Sequence, residues 1–197
     1  MSNSSLQVAI IMGSDSDLPV VEASFSILES FGVKYTKNVM SAHRTPHDVM
    51  DLIKKSEENG CKVFIAAAGM AAHLAGAVAA HSTKPVIACP PIKDTSMYDI
   101  YSSISMPSGI SPLTVIGAEN AAISAAKIIS LFNEDVKCLI SEYKLKSNKS
   151  FKSVQEYAID NNLFLGSIRG ASDFMGDLGG DFNFNDSIRN ISTDQFF

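Results

Sequence analysis

Residues 41–46, Ser-Ala-His-Arg-Thr-Pro, set an imidazole beside a guanidinium at a predicted strand-to-helix junction. An imidazole can give and take a proton within one catalytic cycle near neutral pH. The rigid fork of donors on Arg44 fits a phosphate or a carboxylate. Thr45 has the side chain of an N-cap, Pro46 fits a first helical turn, and Asp48 favours the same helix N-terminus. His43 and Arg44 then lie beyond the carboxyl end of a strand, where open α/β sheets bind ligands. An ordinary loop with a surface histidine is the plainer reading of this hexapeptide taken alone.

Three other loops have suitable chemistry. Gly13-Ser14-Asp15-Ser16-Asp17 follows an apolar run and precedes a helix containing Pro19. Glycine permits a tight turn there, and serine hydroxyls with free amides suit a phosphate. An acidic side chain at such a place can accept hydrogen bonds from ribose hydroxyls. Helix capping by Ser16 or Asp17 explains the same residues, and the two roles can coexist. The spacing is neither a dinucleotide fingerprint nor a P-loop. Gly69-Met70-Ala71-Ala72-His73-Leu74-Ala75-Gly76 is dense in small residues that let backbone approach a ligand. A helix beginning near Ala71 would aim free amides at an anion, although tight packing alone also accounts for the composition. Met106-Pro107-Ser108-Gly109-Ile110-Ser111-Pro112 is a stiff loop that either covers a substrate or merely connects elements. No metal site is expected. His43 and His47 stand four apart, but Pro46 starts a helix between them and no acidic third ligand falls at a recognisable interval.

The elements that must carry these loops show in the hydrophobic pattern. Val8–Met12, Val63–Ala68, Val86–Cys89 and Leu113–Ile116 are continuous apolar runs, as expected of strands covered on both faces. A weaker strand falls across Val33–Met40. Val21, Phe25 and Leu28 mark a helix stopped by Gly32, and Val49, Leu52 and Ile53 mark a second closed by Gly60. An Ala-rich helix covers Ala71–His81, and Ala122, Ala125, Ile129 and Phe132 form a stripe on another from about Glu119. Alternating strands and helices define a doubly wound α/β sheet.

Composition sets the outer limits. A chain of 197 residues, 46% hydrophobic and 19% charged, can bury one large core, with or without an extension. Its net charge of −5 argues against a broad nucleic-acid surface, while leaving room for an anionic small molecule. No apolar run is long enough to span a bilayer, and Met1–Gln7 lacks the regions of a signal peptide. A cytoplasmic protein is expected. Cys61, Cys89 and Cys138 fit neither a disulfide framework nor a zinc motif and read as structural thiols. Residues 145–197 change character. Lys144, Lys146, Lys149 and Lys152 lead into a stretch with Gly176, Gly179, Gly180, Asp177, Asp181, Phe182 and Phe184. Disorder and an oligomer-embracing tail both fit this composition.

Taken in order, Gly13-Ser14-x-Ser16-Asp17, Ser41-Ala42-His43-Arg44-Thr45-Pro46 and Gly69-x-Ala71-Ala72-His73-Leu74-x-Gly76 resemble the PurE family of purine biosynthesis. The similarity runs from about residue 7 to 135, includes the Met-Pro-x-Gly-Ile loop, and leaves out the tail. It implies a flavodoxin-like three-layer fold in a catalytic domain of residues 1–144, with 145–197 as an extension. It also implies a homo-octamer with active sites at subunit interfaces, and chemistry without a metal or organic cofactor. The implied partners are a ribonucleotide substrate and CO2, with no nucleic acid and no membrane.

By this resemblance His43 is the proton carrier, Ser14, Ser41 and Arg44 hold the phosphate, and Asp17 holds the ribose hydroxyls. Gly13 belongs to the same substrate loop, and Gly69, His73 and Leu74 line a pocket for CO2 or carboxylate. The family has two branches: a mutase that moves the carboxylate of N5-carboxyaminoimidazole ribonucleotide from N5 to C4, and a carboxylase that joins CO2 directly to C4. Arg44 and Ala71-Ala72-His73-Leu74 resemble the mutase. Ala88-Cys89-Pro90-Pro91, Asp99-Ile100-Tyr101-Ser102-Ser103 and Ser108-Gly109-Ile110-Ser111-Pro112 resemble the carboxylase. The first half contacts the migrating carboxylate, so the mutase is the leading expectation. Direct carboxylation and a non-catalytic nucleotide-binding module are the alternatives.

Overall fold

Strand β1 (Val8–Met12) is buried along its whole length, and its side chains divide between two hydrophobic cores. Val8, Ile10 and Met12 enter one, and Ala9 and Ile11 enter the other. This alternation across a strand with no polar face is what builds a sheet covered on both sides. The computed structural model describes residues 6–69, 73–91 and 97–160. Within them β2 (Tyr35–Val39), β3 (Val63–Ala67), β4 (Val86–Ala88) and β5 (Leu113–Thr114) complete a parallel sheet ordered β2-β1-β3-β4-β5. This is the flavodoxin-like order, whose switch point lies between β1 and β3. The register is flush: Met12 stands opposite both Val39 and Ala67.

Helices α1 (Leu18–Ser30) and α5 (Ala118–Ile129) close one face, through Val21, Phe25 and Leu28 and through Ala121, Ala122, Ala125 and Ile129. Helices α2 (Pro46–Glu58) and α3 (His73–His81) close the other, through Val49 and Ile53 and through Leu74 and Val78. Each fully buried Val, Leu or Ile side chain contributes about 1.5–3 kcal/mol. The loops at the strand ends therefore stand on a rigid platform. Gly32, at φ +65°, ends the first helix in the left-handed conformation that its stop role requires.

Three features differ from the sequence reading. Helix α4 (Met97–Ile104) was not expected. The predicted stripe on the last helix breaks, because α5 ends at Ile129 and Phe132 lies beyond it, 62% exposed. Asn133 then starts helix α6 (Glu134–Asp160), its side-chain oxygen accepting the Val136 N–H at 3.2 Å as an N-cap does. Val136 and Ile140 return to the core, and Tyr143, the last residue of the first compact unit, meets Phe31 edge-on at 5.5 Å. Residues 145–160 continue α6 as one 27-residue helix, and residues 161–197, with their glycines and phenylalanines, lie outside the described residues.

Candidate active site

The site is built where three adjacent strands end level. The Gly13 N–H donates to the Ala67 carbonyl at 2.9 Å, and the Met40 N–H donates to the Met12 carbonyl at 2.8 Å. The loops after β2, β1 and β3 thus begin side by side, and neighbouring strands lie roughly 4.8 Å apart. They open on one patch beside the switch point.

In the β1 loop, Gly13 lies so close to its neighbour that a Cβ would stand 3.1 Å from the Ala68 Cβ. Ser14 caps the short 3-10 turn Asp15–Asp17, its hydroxyl accepting the Ser16 N–H at 3.4 Å. Asp17 reciprocates by accepting the Ser14 N–H at 3.0 Å, and it is buried, 7% exposed. The capping role expected of Ser16 or Asp17 therefore falls to Ser14, because the Asp17 carboxylate turns back toward the start of the loop. Asp15 also takes part: its Oδ1 accepts the Ser14 hydroxyl at 3.0 Å and the Ser16 N–H at 2.9 Å. Nothing in the spacing announces that contact, since a Ser-Asp-Ser-Asp string allows several capping partners.

The β2 loop is a tight turn. The Ser41 carbonyl accepts both the Thr45 N–H at 2.8 Å and the Thr45 hydroxyl at 3.2 Å, while the Arg44 N–H donates to Ser41 Oγ at 3.3 Å. Thr45 does occupy the N-cap position of α2, yet its side chain makes no cap bond and its hydroxyl points back to donate to the Ser41 carbonyl. The turn leaves His43 and Arg44 exposed, and Arg44 has no ion-pair partner among the described residues.

The third segment supplies the contact that the sequence could not show. His73 opens α3, and its Nδ1 lies 2.7 Å from His43 Nε2, with ring centroids 4.7 Å apart and planes at 63°. Packing of α2 on α3 through the core that holds Val49, Ile53, Leu74 and Val78 sets this distance. Gly69 lies in the loop after β3, and Met70, Ala71 and Ala72 lie outside the described residues. Leu74, expected near the ligand, is 2% exposed and belongs to the core with its side chain. Only its backbone could reach the site. His47 takes no part in the histidine contact, and no group of three His, Cys, Asp or Glu among the described residues is placed to hold a metal ion.

The loop before β5 is stiff as expected. The Ile110 N–H donates to the Pro107 carbonyl at 3.1 Å, with Gly109 at φ +90°, the signature of a type II turn. Burial pushes the Cys61 and Cys89 thiols up to about 11, so both remain protonated thiols in the core. Cys138 is exposed.

The fold and site define a class: a parallel doubly wound sheet with an imidazole pair, an exposed guanidinium and a serine-capped loop at its carboxyl edge, where such sheets bind ligands. The chain belongs to the AIR carboxylase family, whose profile matches residues 7–150. It is 44% identical over 153 residues to the N5-carboxyaminoimidazole ribonucleotide mutase of Methanocaldococcus jannaschii, covering 76% of this chain and 95% of that one. A relative from Archaeoglobus fulgidus named phosphoribosylaminoimidazole carboxylase is 40% identical over 152 residues, covering 77% of this chain and 84% of its own. Among solved structures, Treponema denticola PurE superposes with a TM-score of 0.72 at 37% identity, covering 75% of this chain and 94% of that one.

Proposed function

We propose that this protein converts N5-carboxyaminoimidazole ribonucleotide to 4-carboxy-5-aminoimidazole ribonucleotide in purine biosynthesis, with His43 as the proton carrier. The observation that supports it most directly is the 2.7 Å contact between His43 and His73 beside Arg44. A nitrogen-to-nitrogen contact of that length holds one proton between the rings, so either imidazole can be the donor. Two N–H groups facing each other there would repel.

The reaction needs such an arrangement twice. First the N5–carboxylate bond breaks, CO2 leaves, and His43 gives a proton to N5, producing aminoimidazole ribonucleotide. C4 then attacks the retained CO2, and the C4 proton passes back to His43. The proton count closes to zero, and one group serves both halves. Holding CO2 beside C4 supplies proximity, worth up to roughly 7–11 kcal/mol in favourable cases. In this reading Ser14, Ser41 and Arg44 bind the phosphate, Asp17 the ribose, and Gly69, His73 and the Leu74 backbone the carboxylate. Gly13 lets the phosphate loop close against Ala68. A cytoplasmic homo-octamer, with residues 1–144 as the catalytic domain and 145–197 as an extension, completes the reading.

Direct carboxylation of aminoimidazole ribonucleotide is the second reading, favoured by Ser108-Gly109-Ile110-Ser111-Pro112. A paired assay separates them. One arm supplies the N5-carboxy compound at low bicarbonate; the other starts from product and traps what forms. Consumption and regeneration of the N5-carboxy compound support the mutase. Exchange of product with aminoimidazole ribonucleotide alone would replace it by the carboxylase.

A further inference from the structure

Helix α3 has two working faces. Leu74, Ala75 and Val78 are buried in the core, while His73 and Gly76 stand three apart and share the opposite face. On that face a Cβ built at Gly76 would lie 3.1 Å from Met106 Sδ and 3.5 Å from its Cε. The thioether thus occupies the space that any side chain at position 76 would need, one turn from the His73 imidazole.

Met106 is held firmly from its own side. The Ser105 N–H donates to the Tyr101 carbonyl at 2.9 Å and the Met106 N–H to the Ile104 carbonyl at 3.0 Å, so the Met106 backbone is tied to the last turn of α4, two residues past its end. The Thr114 hydroxyl donates to the Ser103 carbonyl at 3.1 Å and ties that end to β5. A continuous path of contacts runs from β5 through α4 and Met106 to Gly76, and so to the helix that begins with His73.

We infer that Gly76 and Met106 form a seat that fixes His73 against His43, making Gly76 a positioning residue for the proton-carrying pair. The inference rests on the proposed function for its kinetic consequence but on geometry alone for the contact itself. Gly76→Ala places a methyl group where the thioether lies. Alanine is the better helix former, so helix propensity alone would leave the variant as stable or more so, and as active. In the seat, either the Met106 thioether or α3 must give by a few tenths of an ångström, and with the Met106 backbone tied to α4 the proposal assigns part of that movement to α3, loosening the 2.7 Å contact.

The test compares Gly76→Ala, Met106→Ala and the double variant. Expected for Gly76→Ala is kcat down about tenfold with KM moving less, since small misplacements of reacting groups are costly. Its Tm should stay close to wild type, because alanine's helix propensity and the yielding Met106 side chain offset the crowding that a rigid neighbour would impose. Adding Met106→Ala to Gly76→Ala removes the collision and should recover most of the loss. The second readout is the 15N–1H spectrum of the His43 and His73 rings, which does not depend on turnover. Gly76→Ala should shift both sets of ring signals, and the double variant should move them back. Should Gly76→Ala fail to fold, Met106→Ala alone must still shift the His73 ring signals, because it empties the seat. Wild-type kcat in Gly76→Ala, or ring signals unchanged in the variants that fold, would overturn the inference. A wild-type protein inactive on the N5-carboxy compound but showing the ring shifts would overturn the proposed function and leave the seat standing.

Discussion

Gly13→Ala tests how tightly the phosphate loop is locked to the sheet. The new Cβ would sit 3.1 Å from the Ala68 Cβ and 3.5 Å from Asp17 Oδ2. Carbon atoms in contact prefer about 3.5–4.0 Å, so the two groups must separate by roughly 0.4–0.9 Å. Ala68 has no rotamer that relieves this, because its Cβ is one bond from the backbone directly after β3. The loop or the strand end must move, and overpacking of this kind costs about 1–3 kcal/mol. For a chain of this size that corresponds to a Tm lower by about 2–12 °C. The assay is thermal unfolding at one fixed protein concentration, since assembly would make Tm concentration-dependent. Adding Ala68→Gly removes the opposing methyl and should recover part of the loss, less the entropic cost of glycine, about 0.5–1 kcal/mol. A Tm within 1 °C of wild type (about the shift expected from less than 0.5 kcal/mol) would refute the claim that this approach is rigid.

Three further outcomes are expected. His43→Asn should keep the fold and ligand affinity while lowering turnover by about 10²–10⁴; near-normal turnover would remove His43 from the proton-carrier role. Arg44→Ala should weaken ribonucleotide binding by about tenfold, the value of one charge-assisted hydrogen bond at an exposed site, and calorimetry would show it. Cys138 should react quickly with a thiol reagent at pH 8, with Cys61 and Cys89 reacting only on unfolding. Burial holds those two thiols near 11 against an ordinary 9.0, so the folded state keeps protons that the unfolded chain releases. Stability should therefore be level below pH 9 and fall between pH 9 and 11, by about 1.4 kcal/mol per pH unit for each thiol. Urea titrations at pH 8 and pH 10 with equal midpoints would contradict this.

How much of this was legible in the sequence depends on what each residue faces. β1 and β3 were clear because every residue in them is buried, which writes an unbroken apolar run. β2 was faint because it is the sheet edge: Thr36, Lys37 and Val39 are exposed, and only Tyr35 and Asn38 are half-buried. Helix α4 escaped notice because eight residues give barely two turns, and Tyr101 and Ile104 point outward. Phe132 misled for the opposite reason, being an apolar residue left exposed in the turn between α5 and α6. His43 was singled out by its neighbours in sequence. Its contact with His73, thirty residues away, follows only from the order of strands and the packing of α2 on α3, which no local spacing encodes.

The level ends of β2, β1 and β3 have a consequence for how such a chain can change over evolutionary time. Val39, Met12 and Ala67 form one row across the sheet, and each chemistry-bearing loop departs immediately after it. Replacing a letter within a loop alters one contact. Inserting or deleting one residue within a strand does something different: it exchanges the two faces of every position beyond it and carries the loop out of the row. Substitutions can therefore accumulate in the three loops while strand lengths stay frozen. A collection of working variants of this protein should show diverse residues at the edge of the site and almost no change in the count of residues that leads up to it.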